Sequence, residues 1–175
     1  MLDGYATIAA MIDLRAFSSL WYWVVVAGFW ILAGRRVLDM PVDMLTRAHG
    51  WGGAAGEEFD RLAGIAIPRV LRRARELGPW LLALAGFALA LVLGLGFGYG
   101  LELGQAAGFL LLPLVLIRLM EVQTARRLEH GPRGAEMQSL LLWHRFRIQL
   151  LGLVFILLTA FWGAWRTMTV GALGH

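Results

Sequence analysis

The residues best suited to chemistry are few and lie far apart along this chain. The histidines do not have the spacing of metal-binding motifs; they are His49, His130, His144 and His175. The chain has no cysteine, which excludes thiolate metal sites and thiol catalysis. An enzyme acting on lipid would have to use separated groups such as Glu57, Asp60 or His144. The sequence therefore predicts no catalytic residue, no metal site and no cofactor, and a protein that is not an enzyme.

Glycines four residues apart form the strongest local pattern. Small residues at this spacing let helix backbones approach closely in lipid. The pattern favours packing within one helical hairpin or against the first span. A contact between copies of the chain and a pore or hinge are the two alternatives. The predicted packing seam consists of Gly94, Gly96, Gly98, Gly100, Gly104 and Gly108.

Part of this glycine row superficially resembles the selectivity filter of potassium channels. The stretch Gly96 to Gly100 reads Gly-Phe-Gly-Tyr-Gly, against Thr-Val-Gly-Tyr-Gly in the filter. Gly96 stands where the filter has a hydroxyl residue, and the stretch ends a long apolar run instead of following a pore helix. We therefore do not expect a potassium filter.

The acidic residues beside the apolar runs favour a structural role over a role in proton or ion transport. Arg118 and Glu121 are three residues apart, which places them on one helix face as a structural ion pair. Glu102 lies near the predicted outer surface. A proton or ion relay would need acids deeper in the spans.

Long apolar runs determine the predicted architecture. The chain is 59% hydrophobic and only 16% charged, and its run from 79 to 120 is about twice the ~20 residues that cross a bilayer. The polar break at 101–105 divides this run into two helices. We predict an all-α membrane protein, with residues 1–175 as one integral membrane domain and spans at about 17–34, 79–100, 104–122 and 148–166.

Two polar segments, 35–78 and 123–147, separate the spans. In the first we predict a glycine-rich loop at 50–56 and an amphipathic helix from Glu57 to Leu77. Its apolar stripe should rest on the bilayer or on the neighbouring hairpin; the stripe is Phe59, Leu62, Ala66, Val70 and Leu77. In the second, helices three and four should extend beyond the membrane as a hairpin that turns at 131–134.

The arginines predict the orientation. The two polar segments, with Arg118 at their border, hold fourteen of the sixteen arginines, and only Arg15 and Arg166 lie elsewhere. The positive-inside rule then places both segments in the cytosol and both termini in the periplasm. Contact with lipid headgroups is expected for Arg35, Arg36, Arg72, Arg73, Arg145 and Arg147. The net positive charge is not accompanied by a nucleic-acid-binding motif, so we expect no nucleic-acid partner.

Two segments carry a resemblance to a family. Ile12 to Trp23, which reads IDLRAFSSLWYW, and Val37 to Met44, which reads VLDMPVDM, resemble small alphaproteobacterial four-span proteins often labelled "component of SufBCD complex". The resemblance covers about the first quarter of the chain. It implies a bacterial inner-membrane protein and a connection with iron–sulfur assembly.

These observations together predict a non-enzymatic accessory or scaffold subunit. Its partners would be membrane lipids and either a second copy of itself or another membrane protein. The alternative is a small oligomeric channel or transporter whose second span lines the pore.

Overall fold

Between residues 20 and 172 the fold is all-helical apart from one very short hairpin. The computed structural model describes residues 20–172, so the predicted start of the first span at 17–19 lies outside the described residues. In chain order the elements are α1 (Leu20–Arg35), β1 (Arg36–Val37), β2 (Met40–Pro41), α2 (Val42–Trp51), α3 (Gly53–Glu76), α4 (Gly78–Leu93), a π-helical turn (Gly94–Gly98), α5 (Glu102–Glu129) and α6 (Ala135–Ala172).

Three helical segments are long and apolar enough to cross a membrane. They are Gly78–Gly98, Glu102–Glu129 and Ala135–Arg166. Helix α1 is also apolar, but its described part has 16 residues. The prediction of an all-α membrane protein agrees with these helices. The uncharged part of α6 begins at Ile148, directly after Arg147, so its first turns are polar and its remainder is apolar.

A two-residue β-hairpin, which we did not predict, joins α1 to α2. Val37 pairs with Met40, and the turn between them places Leu38 and Asp39 at φ of 50° and 62°. Two positive φ values give the turn that matches the natural strand twist, although leucine rarely adopts this conformation. The Leu38 side chain is completely buried. Burial of a leucine contributes about 1.5–3 kcal/mol, which offsets a backbone strain of about 1–3 kcal/mol.

The hydrophobic core lies at the arginine-rich end of the molecule. The two polar segments build it together: α2 and α3 pack against the end of α5 and the beginning of α6. Phe59 of α3 is 1% exposed, and it shares the core with Leu38, Leu45, Leu128 and Leu141. We name this region, which comprises residues 36–76 and 124–144, the basic-end core.

Helix α3 differs from the prediction in its start and in the face that it buries. It begins at Gly53, and within 50–56 only Gly52, at φ +60°, interrupts the helices, so the predicted loop is wrong. The buried residues of α3 are Phe59, Ala63, Ala66, Ile67 and Leu71. Ala63 and Leu71 therefore occupy places that we had assigned to Leu62 and Val70, which are only partly buried, whereas Leu77 is exposed. Helix α3 packs on α2 and on α5 of the hairpin.

Helix α4 contrasts with this core because it buries none of its residues. Leu84, Phe87 and Trp80 are among its exposed side chains. Its C-terminal end widens into the π-helical turn, after which Tyr99 to Leu101 reverse the chain into α5. Gly100, at φ +72°, belongs to this reversal.

Candidate functional site

The end of the molecule opposite the basic-end core is held by a close crossing of two backbones. An added Cβ at Gly96 would lie 2.6 Å from the backbone N of Gln105 and 2.8 Å from the backbone C of Gly104. A Cβ at Gly104 would lie 2.7 Å from the backbone N of Gly96. Gly108, one turn further along α5, faces Leu93 and Val92. Any side chain at Gly96 or Gly104 would therefore force the π-helical turn away from α5.

A buried amide fixes the same crossing. Gln105 is 3% exposed, and its Nε2 donates to the carbonyl of Gly96 at 2.9 Å. Its Oε1 accepts a hydrogen bond from Trp162 Nε1 of α6 at 3.0 Å. Nearby, the Tyr22 hydroxyl of α1 donates to the carbonyl of Ala106 at 3.3 Å. Because both ends of the amide are used inside the chain, Gln105 links three helical segments and supports the packing.

The other predicted seam residues face outward. An added Cβ at Gly94, Gly98 or Gly100 would meet no heavy atom within 4 Å. Gly86 is equally open, and Ala90 between Gly86 and Gly94 is exposed. The structure therefore divides the glycine row into an inner set that crosses α5 and an outer set on α4. We name Gly86 and Ala90 of α4, together with Gly94 and Gly98 of the π-helical turn that continues it, the small-residue face of α4.

The ion pair and the headgroup arginines predicted from the sequence lie around the basic-end core or at its border. Arg118 Nη1 lies 2.9 Å from Glu121 Oε2. Arg73 Nη1 lies 2.8 Å from Asp39 Oδ2, so it is tied to the β-hairpin turn. The remaining arginines expected at headgroups are exposed or, for Arg145, partly buried: Arg35, Arg36, Arg72, Arg145 and Arg147.

His144 occupies a position that sequence reasoning did not foresee. It is 2% exposed, between α5 and α6, and its Nδ1 lies 2.9 Å from the hydroxyl of Thr124. Its Nε2 is buried without a hydrogen-bond partner in the described part of the chain. A small pocket of about 20 Å³ lies there, lined by His144 and Thr124 together with Arg127, Trp143 and Arg147. A polar ring nitrogen that opens neither to water nor to a protein partner indicates a ligand or an ordered solvent molecule.

Glu57 and Asp60, which we named with His144 as groups that an enzyme could use, both lie near the start of α3. Glu57 is exposed on α3, within 3.7 Å of Arg61, and Asp60 is partly buried one turn further on. Across residues 20–172, no three His, Asp or Glu side chains cluster in a way that would hold a metal ion.

One signal would have pointed to a missed residue. Gln105 is a polar residue in the first turn of helix α5, which is largely apolar over its first five turns, and polar side chains inside spans usually find partners on a neighbouring helix. His144 stands between apolar and basic residues, so its burial depends on the register between α5 and α6. A single sequence does not specify that register.

The comparisons with known proteins give no relative. No protein-family model, no curated protein and no solved structure matches this chain.

Proposed function

We propose that this chain is a four-span bacterial inner-membrane protein that serves as an accessory or scaffold subunit by associating with a second membrane helix. In this arrangement α1 is a further span beside the three long apolar helices. The arginine distribution favours a cytosolic basic-end core and periplasmic termini. The family resemblance favours the bacterial inner membrane, and it adds iron–sulfur assembly proteins as one class of partner.

The observation that carries this proposal is the small-residue face of α4. Four small residues follow one another at intervals of four, and an added Cβ at the three glycines Gly86, Gly94 and Gly98 would meet no other part of the described chain. In lipid there is no hydrophobic driving force between helices, so association depends on close packing, which small residues permit. The inner set of glycines shows that this chain already uses such packing, because Gly96 and Gly104 bring two of its own backbones together.

The mass of the protein in mild detergent tests the proposal. We expect a complex larger than one chain, either a homo-oligomer or a stoichiometric assembly with another membrane protein that mass spectrometry identifies. The double substitution Gly86→Leu with Gly94→Leu should convert it to a monomer, because leucine side chains would hold the partner helix away. Gly28→Leu on α1 is the matched control, since Gly28 also faces open space.

Three results would contradict the proposal. The first is a strictly monomeric wild-type chain with no associated protein. The second is an equal loss of mass in the α4 double variant and in Gly28→Leu, which would indicate a general detergent effect. The third is an unchanged complex in the α4 double variant.

A small oligomeric channel or transporter is the second candidate function. The same small-residue face favours it, because several copies of α4 could surround a common axis. Within one chain the amide of Gln105 is already bonded to Gly96 and Trp162, so a pore would have to form between copies. Ion flux into liposomes containing the purified protein separates the two functions: a scaffold gives the rate of empty liposomes.

A further inference from the structure

The inference concerns the groove between α5 and α6 at the basic-end core, away from the small-residue face of α4. It depends on insertion in a membrane and not on the proposed association. The groove combines an unpaired polar atom with two arginines that have no carboxylate partner among the described residues, and it adjoins a shallow apolar surface of α6 that leads towards the uncharged part of this helix.

The polar base of the groove is the pair Thr124 and His144. The proposal takes the tautomer in which the Thr124 hydroxyl donates to Nδ1 of His144 and the ring hydrogen is on Nε2, an N–H that has no acceptor among the described residues. Burying a polar group without a partner costs about 1–3 kcal/mol, so an acceptor oxygen there is favoured. The pocket beside the ring, of about 20 Å³, accommodates one oxygen-sized group.

Two arginines supply the positive charge. Arg127 from α5 and Arg147 from α6 both line this pocket, and both are exposed. Neither has an ion pair within residues 20–172, whereas Arg73, Arg75 and Arg118 of the neighbouring segments do. Guanidinium groups bind phosphate oxygens through paired hydrogen bonds. An anionic phosphate group therefore fits the mouth of the pocket, with one oxygen directed towards His144.

The apolar part of the groove explains why the phosphate would belong to a lipid. Trp143, which also lines the polar pocket, is 59% exposed and stacks on Phe146 with their ring centroids 5.4 Å apart. Together with Ser139 and Leu142 they line a shallow groove of about 410 Å³. At the spacing of one helix face, the exposed Leu150 and Leu153 continue this surface into the uncharged part of α6. A free phosphate ion would use none of this apolar surface.

We propose that Arg127, Arg147, His144 and Thr124 bind the phosphate of one anionic phospholipid, with its acyl chain along Trp143, Phe146, Leu150 and Leu153. Basic pockets between spanning helices are a known mode of headgroup recognition. This is a single defined site, and it differs from the general headgroup contact expected of the exposed arginines. One bound lipid would fasten α5 to α6 where both leave the bilayer.

Native mass spectrometry of the full chain in detergent tests the site. Dioleoyl phosphatidylglycerol and dioleoyl phosphatidylcholine, which have the same acyl chains, are added separately over the same series of concentrations. We expect the wild-type chain to retain one phosphatidylglycerol at concentrations where phosphatidylcholine does not bind. The substitution Arg127→Gln with Arg147→Gln should weaken this retention at least about tenfold, since an arginine near a membrane surface contributes about a factor of five.

Two further variants separate a pocket from a basic surface. Arg69→Gln with Arg72→Gln removes the same charge from exposed arginines of α3 that have no ion pair among the described residues, and retention should stay within about twofold. His144→Leu keeps the arginines but removes the Nε2 donor, and it should weaken retention about fivefold. Circular dichroism and elution volume check that each variant keeps its helices and size.

The outcomes decide the proposal. Equal weakening by both arginine pairs would overturn it in favour of a general basic surface, as would unchanged retention in His144→Leu. Displacement of phosphatidylglycerol by millimolar inorganic phosphate would overturn the assignment to lipid and identify a soluble phosphate as the ligand. Failure of these tests leaves the mass of the α4 complex unaffected, so the two proposals fail separately.

Discussion

The basic-end core and helix α4 are stabilised by different environments. In the core, Phe59, Leu38 and Leu128 are removed from solvent by other parts of the same chain. On α4, residues of equal apolarity such as Phe87 and Leu84 are covered by nothing in the described chain. The core is organised like a small water-soluble protein, whereas α4 depends on lipid or a partner. The same residue type therefore has a different role in the two regions.

Substitution of phenylalanine should give the largest difference between the two regions. Phe59→Ala should lower the free energy of unfolding by about 3–5 kcal/mol, because it leaves a cavity in the core. Phe87→Ala, at a position that is 67% exposed, should change it by less than about 0.5 kcal/mol. Denaturant unfolding in detergent, followed by circular dichroism, measures both. Similar effects would mean that α4 has protein neighbours even in the detergent-solubilised monomer.

Substitution of glycine should give an intermediate difference in stability, between two positions that are only two residues apart. Gly96→Ala should destabilise the protein by about 1–3 kcal/mol, because the new Cβ would lie 2.6 Å from the backbone of Gln105. Gly94→Ala, two residues earlier, places its Cβ in open space and should cost less than about 0.5 kcal/mol. The midpoint of thermal unfolding in detergent compares them. Equal midpoints would refute the inner and outer division of the glycines.

Removal of an ion pair should give the smallest effect. Arg73→Gln breaks the ion pair with Asp39. The side chains of Arg73 and Asp39 are 61% and 32% exposed, so the loss should lower the free energy of unfolding by at most about 1 kcal/mol. Arg72→Gln next to it removes the same charge from a residue with no ion pair in the described chain, and it should cost less. High salt should reduce the difference, because exposed charges are screened. A difference that persists in 1 M salt would show that Arg73 acts through packing.

Apolar runs made the helical architecture predictable. The charge-free stretches, the polar break at 101–105 and the turn at 131–134 each correspond to an element or its end. The face of α3 was predicted less well, because Leu62 and Ala63 both continue an apolar pattern and the larger residue appeared the better core candidate. The core selected Ala63, which lets α3 approach its neighbours closely.

The site residues were less predictable for a different reason. Gln105 is buried because Gly96, in the middle of the π-helical turn, offers a carbonyl beside it. His144 is buried because the register of α5 against α6 places Thr124 opposite its ring. Both depend on contacts between segments that are separated along the chain. Local spacing in one sequence carries no information about such contacts.

The β-hairpin that joins α1 to α2 fixes the length of the connection between these two helices. Val37 and Met40 form one cross-strand pair, and both side chains are buried on the same side. Adding or deleting one residue between them would turn one of the two away from the protein, since side chains alternate along a strand. The hairpin therefore connects α1 to the basic-end core in a way that tolerates neither insertions nor deletions. It also fixes the rotation of α1 about its own axis relative to that core.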